Sequence, residues 1–320
     1  MTGKDFKSYL KASILVLGFA ALTVLLPSPL SFIFEAFAAA YFAKTVVLNH
    51  YKYVAALGFL VLAITVAAGS VMAAALNGVI IILLGLSLGL GKRINLSYYK
   101  LLFICAFVYI SGTVASLFVL KSASVDVFSL ETFYAAANTT IEMFKESGYY
   151  VNPEVIDALN SYLKAIVLFM MQITPAMLII ISIFCAFLVV QIFKRVMIKA
   201  GVDIRHFVPF DKMRAPRSCA VIFIVLFVLL SASFGGNIAY DAGLNVMFVL
   251  GFLLMVCGLS YFDWRLKMRG TKKSARRIME IALIPISYMF MMMPLFALLI
   301  LGMADSLFDL RKSTQKKKDE

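Results

Sequence analysis

The residue with most capacity for chemistry is Glu35, a carboxylate set in the apolar run from Leu30 to Leu48. An ionised group in such a segment is costly unless it faces a cavity, a partner or a substrate. Pro29 marks the nearby end of the run, so a carboxylate that reaches interfacial water is the competing reading. Asn77 and Gln172, the latter one turn before Pro175, could offer amide groups to the same cavity or hydrogen-bond between helices. Asn138, Tyr149 and Tyr150 lie in the one sizeable polar insertion, where they could act as a lid.

Other chemical readings fail on their missing partners. Gly85-Leu-Ser87-Leu-Gly89 fits the G-x-S-x-G pattern of serine hydrolases, which needs a strand-to-helix elbow, a histidine and an acid. The chain has two histidines, His50 and His206, both in loops, and the motif ends an apolar helix. Small residues that let helices approach closely account for it better. No H-E-x-x-H, no Walker lysine loop and no paired Cys or His is present, so no enzyme activity, metal or cofactor is expected. Cys105, Cys185, Cys219 and Cys257 sit singly in apolar runs as small hydrophobes. Asn138-Thr-Thr140 would matter as a glycosylation site only in a eukaryotic secretory setting.

The elements that must position these residues follow from composition. In 320 residues, 62% are hydrophobic and 15% charged, with a mean hydropathy of +0.95. Such a chain needs lipid as solvent, and its apolar runs become membrane-crossing helices of about 20 residues. The expected fold is an all-α, polytopic bundle of about nine helices, with eight or ten as alternatives. Expected spans are 12–26, 30–48, 53–69, 71–90, 101–120, 164–193, 219–234, 244–261 and 278–303. Lys4, Lys7 and Lys11 precede the first run as in a signal peptide, but another apolar segment follows Pro27 and Pro29, so retention is expected.

Charge sets the orientation. A net charge of +13 is concentrated in short connections, at 194–217 and 265–277 above all, which places these inside under the positive-inside rule. No aromatic and basic platform accompanies it, so nucleic acid is not an expected partner. The 121–163 insertion holds Asp126, Glu131, Glu142, Glu146, Glu154 and Asp157 against Lys121 and Lys145, and is the external loop. Leu130, Phe133, Tyr134, Ala137, Ile141 and Phe144 share one helical face, which suits a helix on the bundle mouth or membrane surface. Asn152-Pro153-Glu154 resembles a helix start that continues into the sixth span. A ninth crossing would put Arg311, Lys312, Lys316, Lys317 and Lys318 outside, against the same rule. Either the Met289 to Pro294 region is broken or re-entrant, or one earlier span is not a full crossing.

Ala36, Ala39, Ala40 and Ala43 form a small-residue stripe that suits internal packing or docking to a membrane partner. Three landmarks give a resemblance to the YybS-like family of uncharacterised bacterial membrane proteins. They are Gly85-Leu-Ser-Leu-Gly89-Leu-Gly-Lys92-Arg93, Phe210-Asp-Lys-Met-Arg214-Ala-Pro216, and Leu301-Gly302-Met-Ala-Asp305-Ser-Leu-Phe308-Asp309-Leu-Arg311. Ala215 and Leu307 depart from its pattern, which favours bulkier or aromatic residues there.

The resemblance implies a first module, 1–200, similar to the S components of energy-coupling-factor transporters, and additional helices with a basic tail in 201–320. It implies a small solute bound from outside under the loop, with the alanine stripe facing a transporter subunit; Glu35 first, then Gln172 and Asn77, are the polar contacts expected from the residues themselves. The alternative is an inner-membrane scaffold for envelope growth or sporulation, which binds other envelope proteins. Both readings put the N-terminus in the cytoplasm.

Overall fold

A computed structural model of the chain describes residues 3–25, 31–48, 51–68, 71–122, 131, 134–135, 138–139, 142–143, 153–204, 208–232, 238–279, 282 and 293–312. Among these there are nine long α-helices: α1 (Gly3–Leu25), α2 (Ser31–Leu48), α3 (Tyr51–Ala68), α4 (Val71–Arg93), α5 (Tyr98–Ser122), α6 (Pro153–Lys199), α7 (Arg217–Ala232), α8 (Ile238–Met268) and α9 (Met293–Phe308). Six segments are long and apolar enough to cross a bilayer: Ser31–Leu48, Tyr51–Ala68, Ala75–Arg93, Tyr98–Val119, Ser161–Lys199 and Ile238–Met268. Three shorter apolar helices accompany them. An all-α membrane bundle is what the apolar runs dictate, because each backbone donor in lipid must find its acceptor within its own helix.

The described residues fall into two compact units. The first holds 1–171 and 178–207, the second 172–177 and 208–320.

In the first unit, Phe42 of α2 is the centre of a core with Val16, Ala20, Val46, Leu57, Val61 and Ile81. Gly85 and Gly89 of α4 lie against Phe42 and Val46, where a Cβ would collide with those side chains. The G-x-S-x-G spacing is therefore a packing surface, with one glycine per helical turn receiving α2. Gly91 and Gly112 do the same between α4 and α5, against Leu101 and Ile80. Pro153 opens α6, which then runs for 47 residues, about 70 Å. Asn152 lies outside the described residues.

In the second unit, α8 and α9 cross at two glycines. A Cβ on Gly258 would strike the carbonyl of Leu298, and one on Gly302 the carbonyl of Leu254. Farther along both elements, Arg311 lies against Ser260, Tyr261 and Trp264. The pairing advances in the same direction on both helices, so α8 and α9 are parallel and their C-terminal ends share a side. Of the stretch expected over 278–303, residues 278–279, 282 and 293–303 are described. Residues 273–279 are helical, while α9 starts at Met293 with Pro294 in its first turn and continues to Phe308. Pro285 and Met289 lie outside the described residues.

This arrangement brings Arg311 to the side of the basic connections, as the charge rule prefers. Single cysteines from Lys212→Cys, Lys272→Cys and Lys312→Cys should all react with an impermeant thiol reagent from one side of the bilayer. Labelling of positions 212 and 312 from opposite sides would refute the parallel pairing.

Candidate functional site

Among the described residues four carboxyl groups are buried, Glu35 in the first unit and Asp211, Asp263 and Asp305 in the second. Glu35 is 8% exposed, one turn into α2. Tyr109 of α5, likewise buried, lies within its electrostatic reach, with Cys185 and Cys105 in the same neighbourhood. No hydrogen bond of good geometry completes the set: Glu35 Oε1 and the Tyr109 hydroxyl are both buried without a partner. A buried polar atom left unpaired costs about 1–3 kcal/mol, so this spot is under-satisfied by the protein alone.

The other sequence candidates are dispersed. Asn77 is half-buried on α4, and Asn138 is exposed. Tyr149 and Tyr150 lie outside the described residues. Gln172 is exposed, and its segment belongs to the second unit. Ala36, Ala39, Ala40 and Ala43 are all buried within the first unit; the Ala43 carbonyl lies against Gly89.

Around Pro175 the second unit contains a side-chain bridge that is not among the sequence candidates. Proline supplies no N–H and displaces the preceding turn. In an unbroken helix the Ala176 N–H would meet the Gln172 carbonyl. Instead, the Asn245 side chain of α8 bridges this pair. The Ala176 N–H donates to Asn245 Oδ1 at 2.8 Å, and Asn245 Nδ2 donates to the Gln172 carbonyl at 2.7 Å. One amide thus closes the gap in the ladder. An amide inside an apolar run was the available signal.

The most buried carboxyl of the second unit, Asp305, sits at 0% exposure near the end of α9. Its Oδ2 accepts from Arg311 Nε at 2.9 Å. Arg311 also donates to the carbonyls of Asp211 at 2.6 Å and Met213 at 3.0 Å, and to Ser260 Oγ at 3.2 Å. Ser260 in turn donates to the Phe210 or Met213 carbonyl, at 2.6 and 2.8 Å. Arg214 reaches back, pairing with Asp309 at 2.8 Å and donating to the Asp305 carbonyl at 2.7 Å. Lys267 with Asp211, and Arg276 with Asp263, extend the network at 2.5 and 2.6 Å. Two of the three sequence landmarks, separated by about ninety residues, thus form one ionic cluster. The 210–216 segment is held because the planar guanidinium can satisfy a carboxylate and several carbonyls at once.

The fold and this cluster define a multi-pass helical membrane protein. The chain belongs to the family described as "Predicted membrane protein (DUF2232)", whose model matches residues 13–306. It is also similar to the "Uncharacterized protein YybS" of Bacillus subtilis (strain 168), at 26% identity over 142 residues. That match covers 44% of this chain and 44% of the relative. No solved structure matches.

Two outcomes test the cluster. Arg311→Ala should lower unfolding stability by roughly 3–5 kcal/mol in a detergent melt, because Asp305 is then buried without its counter-ion. A melt within error of the parent would refute the assignment. The Arg214 guanidinium hydrogen-bonded to Asp309 holds that carboxyl below its ordinary value of 3.8. A lowered carboxylate contributes stability that is complete above the ordinary value and fades as pH falls through the folded one. Asp309→Asn should therefore be less stable than the parent at pH 6, and the gap should close below about pH 3.8. A gap that stays constant on acidification would exclude the pairing.

Proposed function

We propose that the chain is a small-solute capture module of the inner membrane, without chemistry of its own, in which Glu35 and Tyr109 supply the polar contacts. The observation that carries this reading is the unpartnered Oε1 of Glu35, buried beside an unpartnered phenol. Ionisable groups kept inside membrane helices face partners or pathways of ions and solutes, because an idle one is expensive. A donor from outside the chain, whether a cation, a proton or an N–H or O–H of a bound solute, relieves that cost. The expected likeness to S components agrees with such a role, and transport would then require a partner subunit that supplies the energy. Asn77, Gln172 and Asn138 are less suited to share the pocket, since none is buried like Glu35.

In the rival scaffold role Glu35 would bind a helix of another protein, and the basic connections would dock soluble partners or anionic lipid. The alanine stripe, expected to face a transporter subunit, is buried within its own unit and adds no support to the capture role.

Ligand-dependent melting decides the matter. A solute that binds the folded state adds RT ln(1 + [L]/Kd), about 2.7 kcal/mol at a hundredfold excess over Kd. Among alkali and divalent cations, vitamins and nucleobases, at least one should raise the melting midpoint of the purified protein, and Glu35→Gln should remove that shift while still folding. A panel in which nothing shifts the midpoint, or a shift kept by Glu35→Gln, would overturn the proposal.

A further inference from the structure

Within the second unit, the 210–214 segment, the end of α8 and the residue pair after α9 close around a cavity of about 410 Å³. Its wall holds Asp211, Lys212, Arg214, Trp264, Lys267 and Arg311. Those four cations are not equally committed to the chain. Arg311 spends its Nε and both Nη groups on Asp305, the Asp211 and Met213 carbonyls and Ser260. Arg214 spends both Nη groups on Asp309 and the Asp305 carbonyl. Each guanidinium is therefore a fixed positive charge in the wall with little left to donate. Lys267 gives one N–H to Asp211, whereas an ammonium carries three, and its side chain is 52% exposed. Lys212 is exposed, and among the described residues its ammonium has no partner.

The charge balance favours an anion. Four cations and one carboxylate line the cavity, and counting Asp305 and Asp309 behind it still leaves one cation in excess. The carbonyl end of α9 would repel an anion, but Arg214 and Arg217 cover it by donation to the Asp305 and Leu307 carbonyls. Trp264 supplies an apolar side. It is buried, with the Tyr261 ring centre 5.5 Å away and the Arg311 guanidinium 6.0 Å from its own. A tryptophan near the end of a membrane-length apolar helix sits at headgroup level, where lipid and water-soluble ligands both reach. One carboxylate would suit one ammonium; a phosphate monoester brings up to two negative charges and three terminal oxygens, enough for both lysines.

We propose that this cavity binds a phosphate ester, with Lys212 and Lys267 donating to the phosphate oxygens and Trp264 flanking the organic part. The site does not depend on the reading of Glu35.

Trp264 is the one tryptophan of the chain, so the cavity carries its own fluorescent reporter. The purified full chain is titrated with glycerol phosphate, and separately placed in phosphatidylcholine nanodiscs with increasing phosphatidic acid, which bears the same phosphate on a lipid. A saturable change in tryptophan emission is expected from glycerol phosphate if the ligand is soluble, and from phosphatidic acid alone if it is a headgroup. Lys212→Gln, which removes no contact within the chain, should weaken that response by about tenfold, as loss of a charge-assisted hydrogen bond implies, with the melting midpoint unchanged. Lys212→Arg should retain it. No saturable change from either source would overturn the proposal, as would an equal change from potassium chloride at matched ionic strength. Full affinity in Lys212→Gln would overturn it as well.

Discussion

Arg311 holds the second unit together. Its side chain joins a carboxylate of α9, two carbonyls of the 210–213 turn and a hydroxyl of α8, and it lies about 6 Å from the Tyr261 and Trp264 ring centres. Helices in lipid gain little from hydrophobic burial against one another, so association relies on close packing and polar contacts. The Gly258 and Gly302 crossing brings the α8 and α9 backbones together, and the guanidinium then fixes their register at the basic end. Each depends on the other. Without the close crossing Arg311 could not reach Ser260, and without Arg311 the buried Asp305 would oppose the crossing.

The first unit uses shape where the second uses charge. Phe42 fills the notch left by Gly85, Val46 the one left by Gly89, and the alanines of α2 close the remaining surface. Thr23, Thr45 and Thr65 return their hydroxyls to carbonyls three or four residues earlier, which leaves their helices polar-neutral toward neighbours. Against that apolar background an unsatisfied carboxyl is conspicuous.

Helices were legible in the sequence because the bilayer imposes a length and an apolarity on each span, and the small-residue spacing at Gly85 and Gly89 revealed where two would pack. Family membership was legible from motif order. What stayed hidden is pairwise. Asp305, Asp309, Arg214 and Arg311 are visible as charges near helix ends, where the positive-inside rule explains the basic ones without naming partners. No periodicity connects positions some ninety residues apart. The parallel course of α8 and α9 was hidden for the same reason, since an apolar run from 278 to 303 reads as one crossing whether or not the chain turns within it. Asn245 offered a signal, an amide in an apolar run, but its role depends on a proline in another helix.

Glu35 and Asp305 are both buried, and the difference between them bears on function. Asp305 carries a counter-ion for its Oδ2 within the chain, less than two turns away, so its charge is matched even though its Oδ1, like Glu35 Oε1, has no hydrogen-bond partner. Glu35 has a tyrosine and two thiols for neighbours, none of which brings a positive charge. A purely structural carboxyl at that position could be replaced by a glutamine or leucine at lower cost, since an unmatched acid gains nothing from the apolar helices around it. Retaining one there makes physical sense when something that is not part of this chain completes the pair, and a bundle packed this tightly elsewhere has little reason to leave that gap by accident.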